Sequence, residues 1–196
     1  MGDQLSQASD SHRTTGSDGR SGTLGNALAQ DHTEGTIMTM TSNQPSVVDQ
    51  GAFTVRRTIW IAAPIEKVWS AVTEPAHISR WFGRAAFEGT GVGARGTLTW
   101  EDRGAVPLRI EAIDAPRTIS YRWSNDDALG QPPEQVDDEH STVFTFTLEA
   151  APDGTQLTVV EIGFETTSDP GANLESHRRG WDEELDELIA LLKASS

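Results

Sequence analysis

The chain has 196 residues, with 15 Lys and Arg against 30 Asp and Glu, a formal net charge of -15 and no cysteine. That length holds one domain, or one domain and a tail, and so acidic a surface disfavours phosphate backbones and anionic lipid headgroups as partners. Without cysteine there is no disulfide framework, thiolate metal site or cysteine nucleophile; no run reaches the ~18 apolar residues that span a bilayer and no signal peptide opens the chain, so the expected compartment is the cytoplasm.

Residues 1–51 contain no aromatic and are rich in Ser, Thr, Gly, Asp and Gln. Such a segment buries too little apolar area to offset chain entropy, and it reads as a disordered tail ahead of a domain over residues 52–196. Met38 and Met40 stand just before the change in composition, so an upstream start codon is one account of the extension.

From Phe53 to Ile61 the β-branched residues and the loose alternation predict a strand. Pro64 then suits the first turn of a helix whose Ile65, Val68, Trp69 and Val72 fall on one stripe. Pro75 opens a second short helix through Ile78, Trp81 and Phe82, closed by Gly83. Five more strands are expected at Thr97–Asp102, Val106–Asp114, Thr118–Ser124, Thr142–Ala150 and Gln156–Phe164. Three alternate cleanly, as half-buried antiparallel strands do, through Leu98/Trp100, Ile119/Tyr121/Trp123 and Phe144/Phe146/Leu148. In the last strand, Leu157/Val159 and Val160/Ile162/Phe164 compete for the inner face. A long amphipathic helix runs from about Leu174 to Lys193 with Asn173 as cap, its buried stripe formed by Leu174, His177, Trp181, Leu185, Leu188 and Leu192. The order predicts an α+β fold in which one curved antiparallel sheet wraps a terminal helix.

The chemistry-bearing motifs are few. Gly91-Val92-Gly93-Ala94-Arg95-Gly96 spells G-x-G-x-x-G but precedes a strand, so it reads as a glycine-rich turn rather than a dinucleotide loop. The acidic, proline-containing stretch 124–140 lacks calcium-loop spacing and reads as a mobile hairpin loop that could cover a cavity mouth. The five histidines form no zinc pattern, so no metal and no cofactor are expected. His177 stands on the apolar stripe one turn before Trp181, where an imidazole serves either as a satisfied core residue or as a general acid/base. Gly180, costly in a helix interior by about 1 kcal/mol, suggests close backbone approach or a bend. Glu184, one turn further on, is the nearest acid to the same face and reads as a solvated flank.

The joints between these elements, Ala63-Pro64-Ile65-Glu66-Lys67-Val68-Trp69, Trp81-Phe82-Gly83, Arg117-Thr118-Ile119-Ser120-Tyr121-Arg122-Trp123, Ser141-Thr142-Val143-Phe144-Thr145-Phe146 and His177-Arg178-Arg179-Gly180-Trp181, are similar in kind and order to those of a known group. The chain resembles the START-like, birch-pollen-allergen-like (SRPBCC) superfamily, and within it the family named after the activator of heat-shock protein 90 ATPase. The resemblance implies a helix-grip fold with a cavity between sheet and terminal helix. Trp81, Trp100, Tyr121, Trp123, Phe144, Phe146, His177 and Trp181 are the expected lining, and a small hydrophobic or aromatic molecule the expected ligand. Two alternatives stand beside binding: a cyclase- or dehydratase-like enzyme with His177 as acid/base assisted by Glu184 or Tyr121, and a stress-response role with a chaperone partner. Monomer and homodimer both remain open.

Overall fold

A computed structural model of the protein describes residues 43–194. Its eight strands form one antiparallel sheet in the order β1-β2-β8-β7-β6-β5-β4-β3. In chain order they are β1 (Val47–Asp49), β2 (Thr54–Ile61), β3 (Arg84–Glu88), β4 (Arg95–Trp100), β5 (Gly104–Asp114), β6 (Thr118–Trp123), β7 (Thr142–Ala151) and β8 (Gly154–Ile162). Helices α1 (Ile65–Thr73) and α2 (Pro75–Ile78) follow β2, and α3 (Pro170–Ala194) ends the described chain. This is the expected helix-grip: the inner faces of the strands and the buried stripe of α3 enclose a single core. A register shift between Ile110 and Ala112 in β5 bends the sheet, as an extra unpaired residue does.

The alternation that marks each strand also sets what it buries. Ile119, Tyr121 and Trp123 of β6 and Phe144, Phe146 and Leu148 of β7 all face inward. In β8 the competition is won by Leu157 and Val159, which puts Glu161 inside and leaves Ile162 half exposed. Phe164 is buried as well, but from a short 3-10 turn after the strand. On α3 the buried set is Leu174, His177, Trp181, Leu185, Leu188, Ile189 and Leu192, together with Asn173.

Several boundaries differ from the sequence reading. The ordered domain begins before residue 52: β1 pairs with β2 through Val47, Val48 and Asp49, inside the segment read as tail. Its ties are polar. Asn43 Oδ1 accepts from Trp60 N at 2.6 Å, the Ser46 N–H donates to Asp182 at 2.6 Å, and the buried Arg57 guanidinium donates to the Gln44 carbonyl on one side and to the Trp181 and Asp182 carbonyls and the Asp186 carboxylate on the other. Residues 1–42 of the expected tail lie outside the described residues. Strand β3 was not expected; only Phe87 among its residues is a large apolar side chain, too little to register as alternation. Helix α2 stops at Ile78, so Trp81 and Phe82 sit in the turn that follows. Asn173 is not the cap of α3. The helix starts at Pro170, Asp169 Oδ1 accepts from the Ala172 N–H, and Asn173, fully buried, accepts from the Asp127 N–H and donates to Asp126.

Candidate functional site

At the centre of the grip lies a carboxylate that the sequence reading did not single out. Glu161, fully buried, accepts on Oε1 from Trp123 Nε1 at 2.8 Å, Thr142 Oγ1 at 2.5 Å and His177 Nδ1 at 2.9 Å, and on Oε2 from Trp181 Nε1 at 2.7 Å. Three strands and α3 are thus fastened to one side chain. Burial alone opposes its ionisation, but the His177 charge and hydrogen bond, with the Thr142 and Trp123 donors, outweigh that and hold its carboxyl below the usual range.

His177 completes the pair. Its Nε2 lies 3.0 Å from the Asn125 carbonyl oxygen, nearer than the Asn125 side-chain nitrogen at 3.4 Å. A carboxylate and a carbonyl can only accept, so both ring nitrogens carry protons and the ring is an imidazolium. Burial pushes its pKa down, and the Glu161 charge and hydrogen bond push it further up, for a net rise. The side chain forms a buried ion pair whose nitrogens are both engaged by protein acceptors.

A cleft of about 180 Å³ opens beside this pair, between α3 and the ends of β4 and β6. Phe82, Trp100, Trp123 and Trp181 supply its aromatic wall. The rings are held in a mutual edge and tilted array, Phe82 to Trp100 at 5.5 Å and Phe82 to Trp181 at 5.4 Å between centroids. Trp100 donates its indole N–H to the Phe82 carbonyl, and its ring lies against Gly83, where a Cβ would stand 2.8 Å from the ring. Gly180 forms the floor on the helix side, and a Cβ built there meets nothing within 4 Å. Asp102, Arg103, Asn125, Ser176, Glu183 and Glu184 form the polar rim. Glu184 is half-buried, and burial, with Glu183 and Glu187 nearby, pushes its carboxyl up to about 8 despite the opposing influence of the neighbouring Trp100 indole and the Arg103 charge.

The profile of the family described as Activator of Hsp90 ATPase homolog 1-like protein matches residues 62–193, about two thirds of the chain. The protein belongs to this family. Among solved structures it is similar to protein MLL2253 from Mesorhizobium loti, at 28% identity and a TM-score of 0.61 over 73% of this chain and 98% of that one. It shares its fold with DynU16, a protein in the dynemicin biosynthetic locus, at 24% identity and a TM-score of 0.58 over 73% of this chain and 48% of that one. It also shares its fold with CalU16 from Micromonospora echinospora, at 24% identity and a TM-score of 0.53 over 69% and 73%. No curated protein matches.

Within this family frame, the eight expected lining residues separate into two groups. Trp100, Trp123, His177 and Trp181 border the open cleft. Trp81, Tyr121, Phe144 and Phe146 instead line a small apolar void of about 10 Å³, room for no more than one water. Trp81 donates to the Ala71 carbonyl, and Tyr121 donates to the Val72 carbonyl with burial driving its pKa upward, so both polar handles are spent on α1. Gly180 marks an opening; of the two readings of it, close backbone approach or a bend, the first does not hold, since a Cβ there meets nothing within 4 Å. Glu184 stands in the cleft wall rather than as a solvated flank. The acidic loop is anchored at its start, where Asp126 accepts from Ala128, Ser168 and Asn173, and further on, where Asp138 pairs with Arg109 on the outer face of the sheet. Gly91 and Gly93 form the turn before β4. Among the described residues no helix is long and apolar enough to cross a membrane, and no three His, Asp or Glu side chains converge as a metal cage requires.

Proposed function

We propose that the protein binds a small organic molecule in the cleft beside Gly180, with one ring or an equivalent apolar group laid against Phe82, Trp100, Trp123 and Trp181. The observation that carries this reading is an aromatic cleft of about 180 Å³ kept open by a residue without a side chain. A dry cavity of about 150 Å³ already accepts benzene, whereas drug-sized ligands occupy roughly 300–1,000 Å³. The volume therefore favours a ring-sized guest over a large polycyclic one. Acid/base catalysis by His177 draws no support from a ring with both nitrogens held by protein acceptors.

The test is a set of single-ring compounds titrated into 15N-labelled protein. Binding at the cleft shifts the indole N–H signals of Trp100, Trp123 and Trp181 and leaves that of Trp81 in place. Shifts at Trp81 alone would place the guest in the half walled by Trp81 and Tyr121 and overturn the reading. The chaperone role carried by the family's description has its own assay, stimulation of heat-shock protein 90 ATPase by the purified chain.

A further inference from the structure

The cleft's chemistry narrows the class of guest, on the reading that the cleft is a binding site. Every ring donor in its wall is already used: Trp100 Nε1 by the Phe82 carbonyl, Trp123 Nε1 and Trp181 Nε1 by Glu161, and the two His177 nitrogens by Glu161 and Asn125. These side chains therefore offer a guest carbon and π-faces. On the rim, Ser176 is bonded to Asp127, and Arg103 is paired with the same carboxylate at 3.4 Å. What remains facing the opening is the Asn125 side-chain amide and the carboxylates of Asp102, Glu183 and Glu184, which have no cationic partner within ion-pair distance among the described residues.

We propose that the cleft selects a small organic cation, an ammonium group carried on an aromatic or compact apolar body. Aromatic faces attract a cation through their quadrupoles, the more so when water is excluded, and carboxylates at the rim complete the complementarity. An anion would meet three acids and an arginine already paired, on a chain of net charge -15.

Glu184 makes the selection dependent on pH. The groups around it are Glu183 and Glu187 on its own helix, and Asp102, Arg103 and Trp100 from the β4–β5 hairpin, with the His177–Glu161 pair behind. With its carboxyl at about 8, it is mostly protonated at pH 7. A bound cation favours the carboxylate, so binding at pH 7 releases a proton from Glu184 to solvent, and affinity rises as the pH passes through 8.

The experiment is calorimetric titration of the full chain with benzyltrimethylammonium, whose charge does not titrate, alongside benzyl alcohol and phenylacetate. The expected order at pH 7 is cation, then alcohol, then phenylacetate. Cation affinity should rise about twenty- to thirtyfold from pH 6.5 to 9, with about one proton released at pH 7 when buffers of different ionisation enthalpy are compared, while benzyl alcohol stays flat. Glu184→Gln should remove that pH dependence and the proton release. Equal binding of cation and alcohol with no pH dependence, or tightest binding of phenylacetate, overturns the cation inference and leaves the cleft standing as a binding site. If none of the three binds, cleft and inference fall together.

Discussion

The space between sheet and α3 has two halves built from the same residue types and finished differently. Toward α1, Trp81, Tyr121, Phe144 and Phe146 interdigitate until about 10 Å³ is left. Toward the start of α3, Phe82, Trp100, Trp123 and Trp181 leave about 180 Å³ open. Aromatic richness does not distinguish the halves, since both are walled by large rings. The difference lies in Gly180, which withholds a side chain from the gap. The rings are restrained in both halves, Trp81 and Tyr121 by the Ala71 and Val72 carbonyls and Trp123 and Trp181 by Glu161, so in the open half neither tryptophan is free to swing into the space Gly180 leaves.

The sharpest way to break that contrast is to remove the restraint. Glu161→Gln leaves His177 a buried cation without its counter-charge, and an uncompensated buried charge costs about 3–5 kcal/mol; chemical denaturation should read a loss of that size. Trp123 and Trp181 should also lose their fixed orientation, visible as altered near-ultraviolet circular dichroism. A loss under 1 kcal/mol would mean the carboxylate is not the fastening point.

Truncation through residue 51 probes the polar strap on the far side of α3. It removes the Gln44 acceptor from buried Arg57, the Ser46 donor from Asp182 and the Asn43 pairing with Trp60, for an expected loss of about 1–3 kcal/mol in the same assay. Unchanged stability would show that the strap adds nothing.

A smaller effect follows from the ion pair's titration. Glu161 is held below its ordinary value of 4.5, so its contribution is present above pH 4.5 and is lost as the pH falls through its folded-state pKa. His177 is raised above 6.5, so its contribution is complete below pH 6.5 and is lost as the pH rises through its folded-state pKa. The pair therefore stabilises most between pH 4.5 and 6.5, and the melting temperature should decline from 6.5 toward 9. In the double variant Glu161→Gln/His177→Gln that part of the decline should vanish, whereas an identical profile would assign it to Glu184, whose raised carboxyl also costs stability as the pH rises toward 8, and to the general acidic charge.

Much of the fold was legible because its signals are periodic. The α3 stripe placed His177 and Trp181 inside, and the alternation of β6 and β7 placed Tyr121, Trp123, Phe144 and Phe146. Glu161 escaped because an acid in phase with Leu157 and Val159 looks like a break in the pattern, although a histidine on an apolar stripe already called for an acidic partner. Strand β1 escaped because its ties are backbone and polar, with Val47 itself exposed. The division of the aromatics between a filled and an open half could not be read, since inward facing says nothing of how completely rings meet. Gly180 carried the signal in its cost to the helix, which fits an opening as well as a close contact.

Gly180→Leu tests the central claim most directly, with thermal stability and ring-compound binding measured on the same sample. The Cβ enters free space and glycine's helix penalty is removed, so the variant should be as stable as the parent or more so by up to about 1 kcal/mol. Its side chain should fill the cleft and abolish the indole shifts of Trp100, Trp123 and Trp181 on adding the ligand. A folded variant that still binds with unchanged affinity would contradict the account, because the site would then lie elsewhere.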